Sequence, residues 1–194
     1  MEKTKTSTNN TMGLLWVAQA AMLIALLVVV QLITFILPKS VPLVSQLITG
    51  SLVNLVLIVG AGTVGFSGAA IAAVLSPVLA FLFAQMLFPQ MIPVVAIGNL
   101  VIVGVTWLFF TAARREDKSL LNLAGIAAGA IVKTAVLWAA AAIIVVPLFF
   151  SANPKVGGSI SLMFSWPQLV TAIIGGLVAL AVIPPVRTAL KRAG

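Results

Sequence analysis

Six long apolar runs, separated by short polar segments, dominate the hydrophobic pattern of the chain. A helix needs roughly 20 apolar residues to cross the hydrocarbon core of a bilayer, which is about 30 Å thick. The runs extend approximately from Gly13 to Leu37, Pro42 to Val64, Gly68 to Leu87, Ile92 to Ala112, Leu120 to Phe149, and Pro167 to Ile183. Each is continuous over about the required length, so the pattern predicts an all-α membrane protein, a six-transmembrane-helix bundle.

The segments between the runs predict how these helices connect. Gly65–Ser67 and Phe88–Met91 are short enough to form tight turns between antiparallel helices. The longest connection runs from Phe150 to Trp166 and contains asparagine, proline, glycine and several serines. We expect this segment to be a loop that acts as a lid.

Two proline-containing pairs predict the outer limits of the bundle. The first run stops at Pro38-Lys39 and the last stops at Pro184-Pro185. The expected organisation is a polar N-terminal segment (residues 1–12), one six-helix transmembrane domain (13–190) and a short basic tail (191–194).

Composition supports this class of protein. Hydrophobic residues make up 62% of the chain and charged residues 7%, and the mean hydropathy is +1.25. Soluble domains average about one quarter charged residues. The net charge of +8 arises almost entirely from short patches outside the runs, with no basic face that interleaves aromatic residues, so nucleic acid is not an expected partner.

The distribution of lysine and arginine predicts the orientation in the membrane, because cytoplasmic loops carry an excess of positive residues. With alternating helices, one side holds Lys3, Lys5, Arg114, Arg115, Lys118, Arg187, Lys191 and Arg192, and the other holds only Lys39 and Lys155. The asymmetry predicts that the first side is cytoplasmic and that both termini lie there.

Acidic residues are confined to Glu2, Glu116 and Asp117, all outside the runs, and the chain contains no histidine or cysteine. Ion-coupled carriers, intramembrane aspartyl proteases and zinc proteases place such side chains inside the membrane. A G-x-x-x-x-G-K-[ST] phosphate-binding loop is also missing from the sequence. We therefore predict no enzyme activity, no catalytic residue, no metal site and no cofactor, and any uphill transport would draw its energy from a partner.

Lys133 is the one charged residue inside a run, about 20 Å from the start of the fifth helix. Burying a cation at that depth costs a few kcal/mol, and the chain places no carboxylate in the membrane to offset the cost. Three interpretations remain open. The amine is neutral, or it packs against carbonyls and amide side chains as a structural residue, or it pairs with an anionic group of a ligand.

Uncharged polar residues recur at helical spacing on three other helices, as Gln46, Gly50 and Asn54, as Asn99 and Thr106, and as Gln168, Thr171 and Gly175. Such stripes serve either as hydrogen-bonding contacts between helices or as the lining of a pocket. Together with Lys133 they favour a pocket that opens on the outer side. The predicted ligand contacts are Lys133, Asn99, Asn54, Gln46, Gln168, Thr171 and, beside the long loop, Trp166.

Several short motifs resemble those of a known family. They are Ala18–Ala25 in the alanine-rich first helix, Thr49–Asn54, Leu75–Ala80, Ile97–Asn99 and Trp166–Thr171. With the chain length and the predicted topology, they make the sequence similar to the substrate-binding (S) subunits of energy-coupling factor (ECF) transporters, which import vitamins and micronutrients into bacteria and archaea.

The resemblance implies a solute pocket near the outer surface, a multi-pass location in a prokaryotic plasma membrane, and a complex with three other subunits. A transmembrane coupling subunit would contact the first helix at Ala21 and Ala25, and two cytoplasmic ATPase subunits would supply energy. These alanines lie one helical turn apart and leave a shallow groove that another helix can enter.

Two other classes of function compete with this prediction. A membrane scaffold or assembly protein would bind no ligand and would tolerate replacement of Lys133. A membrane hydrolase would use a serine such as Ser76 as nucleophile and neutral Lys133 as its base, which requires the two side chains to lie within hydrogen-bonding distance.

Overall fold

The computed structural model describes the backbone of residues 2–36 and 42–193 and the side chains of residues 13–33 and 43–192. The predicted end of the first helix at Pro38-Lys39 lies outside these residues. The elements are α1 (Glu2–Ile36), α2 (Pro42–Thr63), α3 (Phe66–Leu82), α4 (Met91–Glu116), α5 (Leu120–Trp138), a π-helical segment (Ala139–Val145), α6 (Val146–Phe149), α7 (Pro154–Met163) and α8 (Trp166–Ala193).

All six apolar runs are helical, and five of the described helices are long and apolar enough to cross a membrane. The exception is α3, an apolar helix of 17 residues that is about 25 Å long. Six membrane crossings therefore stay a prediction. The fifth run forms one uninterrupted helix from Leu120 to Phe149, in which the π-helical segment accommodates Pro147, a residue without a backbone N–H.

The prediction that the third helix reaches Leu87 was wrong. The helix ends at Leu82 because Ala84 adopts a left-handed conformation with φ of 53°. The Ala80 carbonyl then accepts hydrogen bonds from the N–H groups of both Gln85 (2.9 Å) and Met86 (3.2 Å). This pairing satisfies the last carbonyls of the helix and turns the chain toward α4.

The last helix extends beyond its predicted end. α8 continues through Pro184 and Pro185 to Ala193, although each proline removes one helical donor. Neighbouring contacts hold this turn in place, since the Thr188 hydroxyl donates to the Pro184 carbonyl (3.1 Å) and Arg187 Nε donates to the Gly62 carbonyl of α2 (2.8 Å). α4 likewise ends at Glu116, one turn past the predicted Ala112.

The long connection after the fifth run contains a helix that was not predicted. α7 begins at Pro154, the favoured first position of a helix, and the Asn153 side chain caps it by accepting from the Val156 N–H (3.3 Å). Gly157 and Ile160 are buried on its inner face. A Cβ at Gly157 would lie 2.8 Å from Val146 Cγ1, so glycine allows α7 to lie flat against the end of the fifth run.

Close contacts fix the directions of the helices. α2 and α8 run parallel, because Gly50 lies against Thr171 while Gly62 lies against Ile183. α4 and α5 run antiparallel, because Gly98 lies against Leu137 while Gly125 lies against Phe109. The start of α1 meets the start of α3, where Trp16 approaches Gly68.

These directions place the start of α1 and the ends of α4 and α8 at one end of the bundle, which we call the basic end. It carries Arg114, Arg115, Lys118, Arg187, Lys191 and Arg192. The opposite end carries α7 and is called the α7 end. Which membrane face meets the basic end stays a prediction.

Candidate functional site

Lys133 lies inside the bundle, with only 3% of its surface exposed. It belongs to the buried face of α5, together with Ile126, Gly129, Ala130 and Leu137, a spacing that follows the period of the helix. The sequence of α5 therefore directs this lysine inward by the same pattern that directs its apolar neighbours to the core.

Two asparagines bind the lysine. Lys133 Nζ donates to Asn54 Oδ1 of α2 (2.6 Å) and to Asn99 Oδ1 of α4 (2.9 Å). Both asparagines are 1% exposed. Lys133 is the donor in both contacts, so each amide has its oxygen toward Lys133 and its nitrogen away from it.

The two amide nitrogens extend the network to two more helices. Asn54 Nδ2 donates to the Thr171 hydroxyl of α8 (3.3 Å), and Asn99 Nδ2 donates to the Ala73 carbonyl of α3 (3.4 Å). We call Lys133, Asn54, Asn99 and Thr171 the polar core. Five helices therefore meet at one buried hydrogen-bonded group.

Close packing of α2 against α8 brings the polar core together. A Cβ on Gly50 would lie 2.9 Å from Thr171 Cγ2, and a Cβ on Gly175 would lie 2.5 Å from the Ser51 carbonyl oxygen. Glycine at these two positions lets Asn54 and Thr171 reach each other. The predicted polar stripes on the two helices thus also serve as their contact surface.

Lys133 has no carboxylate partner among the described residues. Glu116 and Asp117 lie where α4 joins α5, and the ion pair seen there joins Lys118 to Glu116 (3.0 Å) with both side chains exposed. An ammonium has three donors, and the asparagine oxygens occupy two of them. Amide oxygens stabilise a buried cation but do not neutralise it.

Gln46 and Gln168 form a second polar group toward the α7 end. Gln46 Nε2 (2.6 Å) and Gln168 Nε2 (3.2 Å) both donate to the carbonyl of Met163, the last residue of α7. We call these three residues the α7 latch. Gln46 Oε1 is buried without a hydrogen-bond partner.

One backbone contact connects the α7 latch to the polar core. The Thr171 hydroxyl donates to the Gln168 carbonyl (3.0 Å) and accepts from Asn54. Of the other predicted residues, Trp166 is the first residue of α8 and is 48% exposed. The Thr106 hydroxyl bonds to the Ile102 carbonyl of its own helix (2.6 Å) and stays outside the network.

Sequence reasoning missed the backbone acceptors of the site, the carbonyls of Ala73 and Met163. No side-chain pattern identifies a backbone carbonyl as a contact. The asparagine-proline pair at 153–154 was the available signal for α7, and therefore for the position of Met163.

The hydrogen bonds of Lys133 bear on the structural interpretation and on the hydrolase alternative. The amide contacts are those that the structural interpretation requires, whereas ligand binding stays a prediction. The buried Ser76 of α3 receives neither of the hydrogen bonds that Lys133 donates, both of which go to asparagine. Among the described residues, no group of three or more acidic, histidine or cysteine side chains is positioned to hold a metal ion.

Ala21 and Ala25 lie on the exposed face of α1, whereas Leu23 and Leu27 of the same helix are buried. Ala69 and Ala73, two small residues at the same spacing on α3, are fully buried in the core. The α1 pair is therefore available to a partner helix, whereas the α3 pair is not.

Comparison with known protein families identifies a matching family model. The family model described as "ECF transporter, substrate-specific component" matches residues 16–187. No curated protein and no solved structure matches the chain.

Proposed function

The chain belongs to the substrate-specific components of ECF transporters, and from that premise we propose that it captures an anionic, vitamin-like solute at the polar core. Members of this family are membrane-embedded binding subunits rather than enzymes, and they work with the membrane and ATPase module of the transporter. The chain is accordingly a multi-pass membrane protein that binds a small solute.

The orientation of the two asparagines around Lys133 is the observation that supports an anionic solute. Both amide oxygens are occupied by the lysine, so the polar core retains donors: one N–H of the ammonium and the second hydrogen of each amide nitrogen. In our proposal Lys133 is protonated, and a site rich in donors with one uncompensated positive charge favours a carboxylate or a similar acceptor group. The same charge disfavours a cationic solute.

The α7 latch supports access from the α7 end. Gln46 and Gln168 hold the end of α7 over the α2–α8 interface through one shared carbonyl. In our proposal the latch opens to admit the solute, and Gln46, Gln168 and Trp166 contact it near the surface. The unpartnered Gln46 Oε1 supplies an acceptor there.

A second role for Lys133 is favoured by its existing contacts. Because two asparagines already bind it, the lysine can act purely as a link between α2, α4 and α5. The solute would then bind at the α7 latch without reaching the polar core.

Mass spectrometry of small molecules that co-purify with the detergent-solubilised protein tests the proposal. We expect a carboxylate-bearing molecule with wild type and a loss of at least tenfold with Lys133→Met. Val132→Met provides the control, because Val132 is the neighbouring residue and is 42% exposed. A cationic cargo would refute the anionic proposal, and equal loading of both variants would assign Lys133 to the structural role.

Partner assembly is proposed to use the exposed face of α1. One transmembrane coupling subunit would contact Ala21 and Ala25, and two ATPase subunits would complete the complex. Replacing both alanines with leucine should weaken co-purification with the coupling subunit and leave solute affinity unchanged. Normal assembly of that double variant would remove α1 from the interface.

We also propose that the basic end faces the cytoplasm of a prokaryotic cell. A cysteine at Ser119 should then react with impermeant thiol reagents only from the cytoplasmic side, and a cysteine at Ser159 only from outside. Labelling of both from one side would contradict this orientation.

A further inference from the structure

Pro77 lies inside α3, where a proline removes one backbone donor. It is buried on the inner face of the helix, together with Ala73. In a regular helix the N–H of residue 77 would donate to the carbonyl of residue 73. Proline has no N–H, and its ring clashes with that carbonyl and pushes it aside. The Ala73 carbonyl therefore lacks its regular helical donor in the interior of the bundle.

Asn99 of α4 supplies a donor to this carbonyl. Asn99 Nδ2 donates to the Ala73 carbonyl (3.4 Å), and neither residue is more than 1% exposed. Helices in membranes tolerate internal prolines because side chains of neighbouring helices satisfy the freed backbone groups. Pro77 and Asn99 thus depend on each other across the contact between α3 and α4.

The same hydrogen bond determines which atom Asn99 presents to Lys133. An asparagine side chain has one oxygen that accepts and one nitrogen that donates. With Nδ2 bonded to the Ala73 carbonyl, Oδ1 lies 2.9 Å from Lys133 Nζ. A reversed amide would place Oδ1 against the Ala73 oxygen, so that two acceptors would face each other. The freed carbonyl therefore fixes the orientation of Asn99 toward the lysine.

We propose that Pro77 is a positioning residue of the polar core, because it makes the Ala73 carbonyl available to orient Asn99 toward Lys133. Its consequence for binding rests on the proposed capture of a solute at the polar core. Pro77→Ala would give residue 77 an N–H and draw the Ala73 carbonyl back toward the helix axis. At 3.4 Å the contact with Asn99 is already longer than the usual range of about 2.7–3.2 Å, so a small retreat breaks it.

Thermal unfolding of a double-mutant cycle tests this dependence on dialysed, solute-free protein in nanodiscs. The cycle combines Pro77→Ala with Asn99→Leu. We expect Asn99→Leu to lower Tm by several degrees more when residue 77 is proline than when it is alanine. Only the proline leaves the Ala73 carbonyl without another donor once the amide is gone, so the two effects are coupled. An equal loss of Tm in the two backgrounds would overturn the proposal.

Asn54→Leu is the matched control for the cycle. Asn54 also accepts from Lys133, but its Nδ2 donates to the Thr171 hydroxyl of α8 and not to α3. It should therefore lower Tm by the same amount with and without Pro77→Ala. The same coupling for Asn54→Leu as for Asn99→Leu would mean that Pro77 acts on the whole bundle, which would also overturn the proposal.

Magnetic resonance of the asparagine side chains gives a second measurement, which decides the question if Asn99→Leu does not fold. With isotope-labelled asparagine, Pro77→Ala should shift the Nδ2 signals of Asn99, which are assigned by their absence from Asn99→Asp. Pro184→Ala restores a donor in α8 about 20 Å along the helix from Thr171, and it should leave these signals unchanged. Unchanged Asn99 signals in Pro77→Ala would overturn the proposal.

Solute loading separates this proposal from the proposed function. The carboxylate-bearing molecule that co-purifies with wild type should be retained several-fold less by Pro77→Ala and equally by Pro184→Ala. Coupling in the cycle with unchanged loading would support the role of Pro77 toward Asn99 and contradict solute capture at the polar core. An additive cycle with reduced loading would overturn the role of Pro77 alone.

Discussion

Lys133 and Arg187 are both basic side chains that donate to neutral oxygens, and they differ in depth. Lys133 is 3% exposed and is enclosed by α2, α4 and α5, whereas Arg187 lies half-buried at the rim, bonded to a carbonyl in the last turn of α2. Water and headgroups can solvate the arginine. The lysine depends entirely on the groups that the bundle supplies.

The difference in depth decides what each cation contributes. A charge at the rim costs little to keep and interacts with mobile ions, whose effect decays over about 10 Å at 0.1 M salt. A charge in the bundle interior costs several kcal/mol unless it is well paired. In our proposal Lys133 is charged, and the anionic solute offsets the cost of keeping that charge without a carboxylate.

Of the changes considered, Asn99→Asp should produce the largest change in solute affinity. The substitution places a carboxylate where an amide oxygen now lies 2.9 Å from Lys133 Nζ, so it neutralises the polar core and competes with an anionic solute. We expect solute affinity to fall about a hundredfold, or about 2.7 kcal/mol, while Tm rises. Isothermal titration and thermal unfolding measure both.

The control for this variant is Asn122→Asp, which adds the same charge to α5 about 16 Å along the helix from Lys133. It should leave solute affinity near the wild-type value. If Asn99→Asp also binds solute normally, the charge of Lys133 plays no part in binding.

Gly175→Ala should produce the next largest effect, through packing. The new Cβ would lie 2.5 Å from the Ser51 carbonyl oxygen and 2.8 Å from the Leu55 nitrogen, which are backbone atoms that cannot rotate away. We expect a loss of about 1–3 kcal/mol in stability. Gly158→Ala on α7 is the matched control, since nothing lies within 4 Å of its new Cβ and alanine favours a helix. Equal Tm values for the two variants would mean that α2 and α8 pack less closely than described.

A change in salt concentration should produce the smallest effect, and it should distinguish the enclosed Lys133 from Arg187 at the rim. Raising sodium chloride from about 0.1 to 0.5 M shortens the screening length, which weakens the electrostatic interactions of charges at the rim such as Arg187. Solute affinity at the enclosed polar core should change less than twofold. A steep salt dependence of solute binding would place the solute at the surface, near the α7 latch.

Much of the bundle follows from the apolar runs, because membrane-spanning length and the confinement of charge are direct consequences of the bilayer. The inward direction of Lys133 and its meeting with Asn54, Asn99 and Thr171 also follow from helical spacing. Gln46 lies on the same face of α2 as Asn54, and Gln168 lies on the same face of α8 as Thr171. Their meeting point at the Met163 carbonyl depends on where α7 ends, and the apolar pattern does not contain that information.

The wrong boundaries have different physical origins. The early end of α3 depends on the left-handed conformation of Ala84, a residue that sequence reasoning does not associate with a turn. The continuation of α8 through Pro184-Pro185 is accompanied by a contact with α2 through Arg187. The first is a local backbone feature, and the second is a tertiary contact.

The central claim is that Lys133 pairs with the solute, and titration calorimetry on two variants tests it most directly. The solute identified by co-purification is titrated into wild type, Lys133→Met and Lys133→Arg, and Tm is recorded for each. We expect the methionine variant to bind at least tenfold more weakly, or about 1.4 kcal/mol, with equal or higher Tm because an expensive buried cation is gone. The arginine variant should recover part of the affinity, since its planar fork replaces a compact ammonium. Wild-type affinity in a methionine variant that melts at a lower temperature would contradict the claim and make Lys133 a structural link.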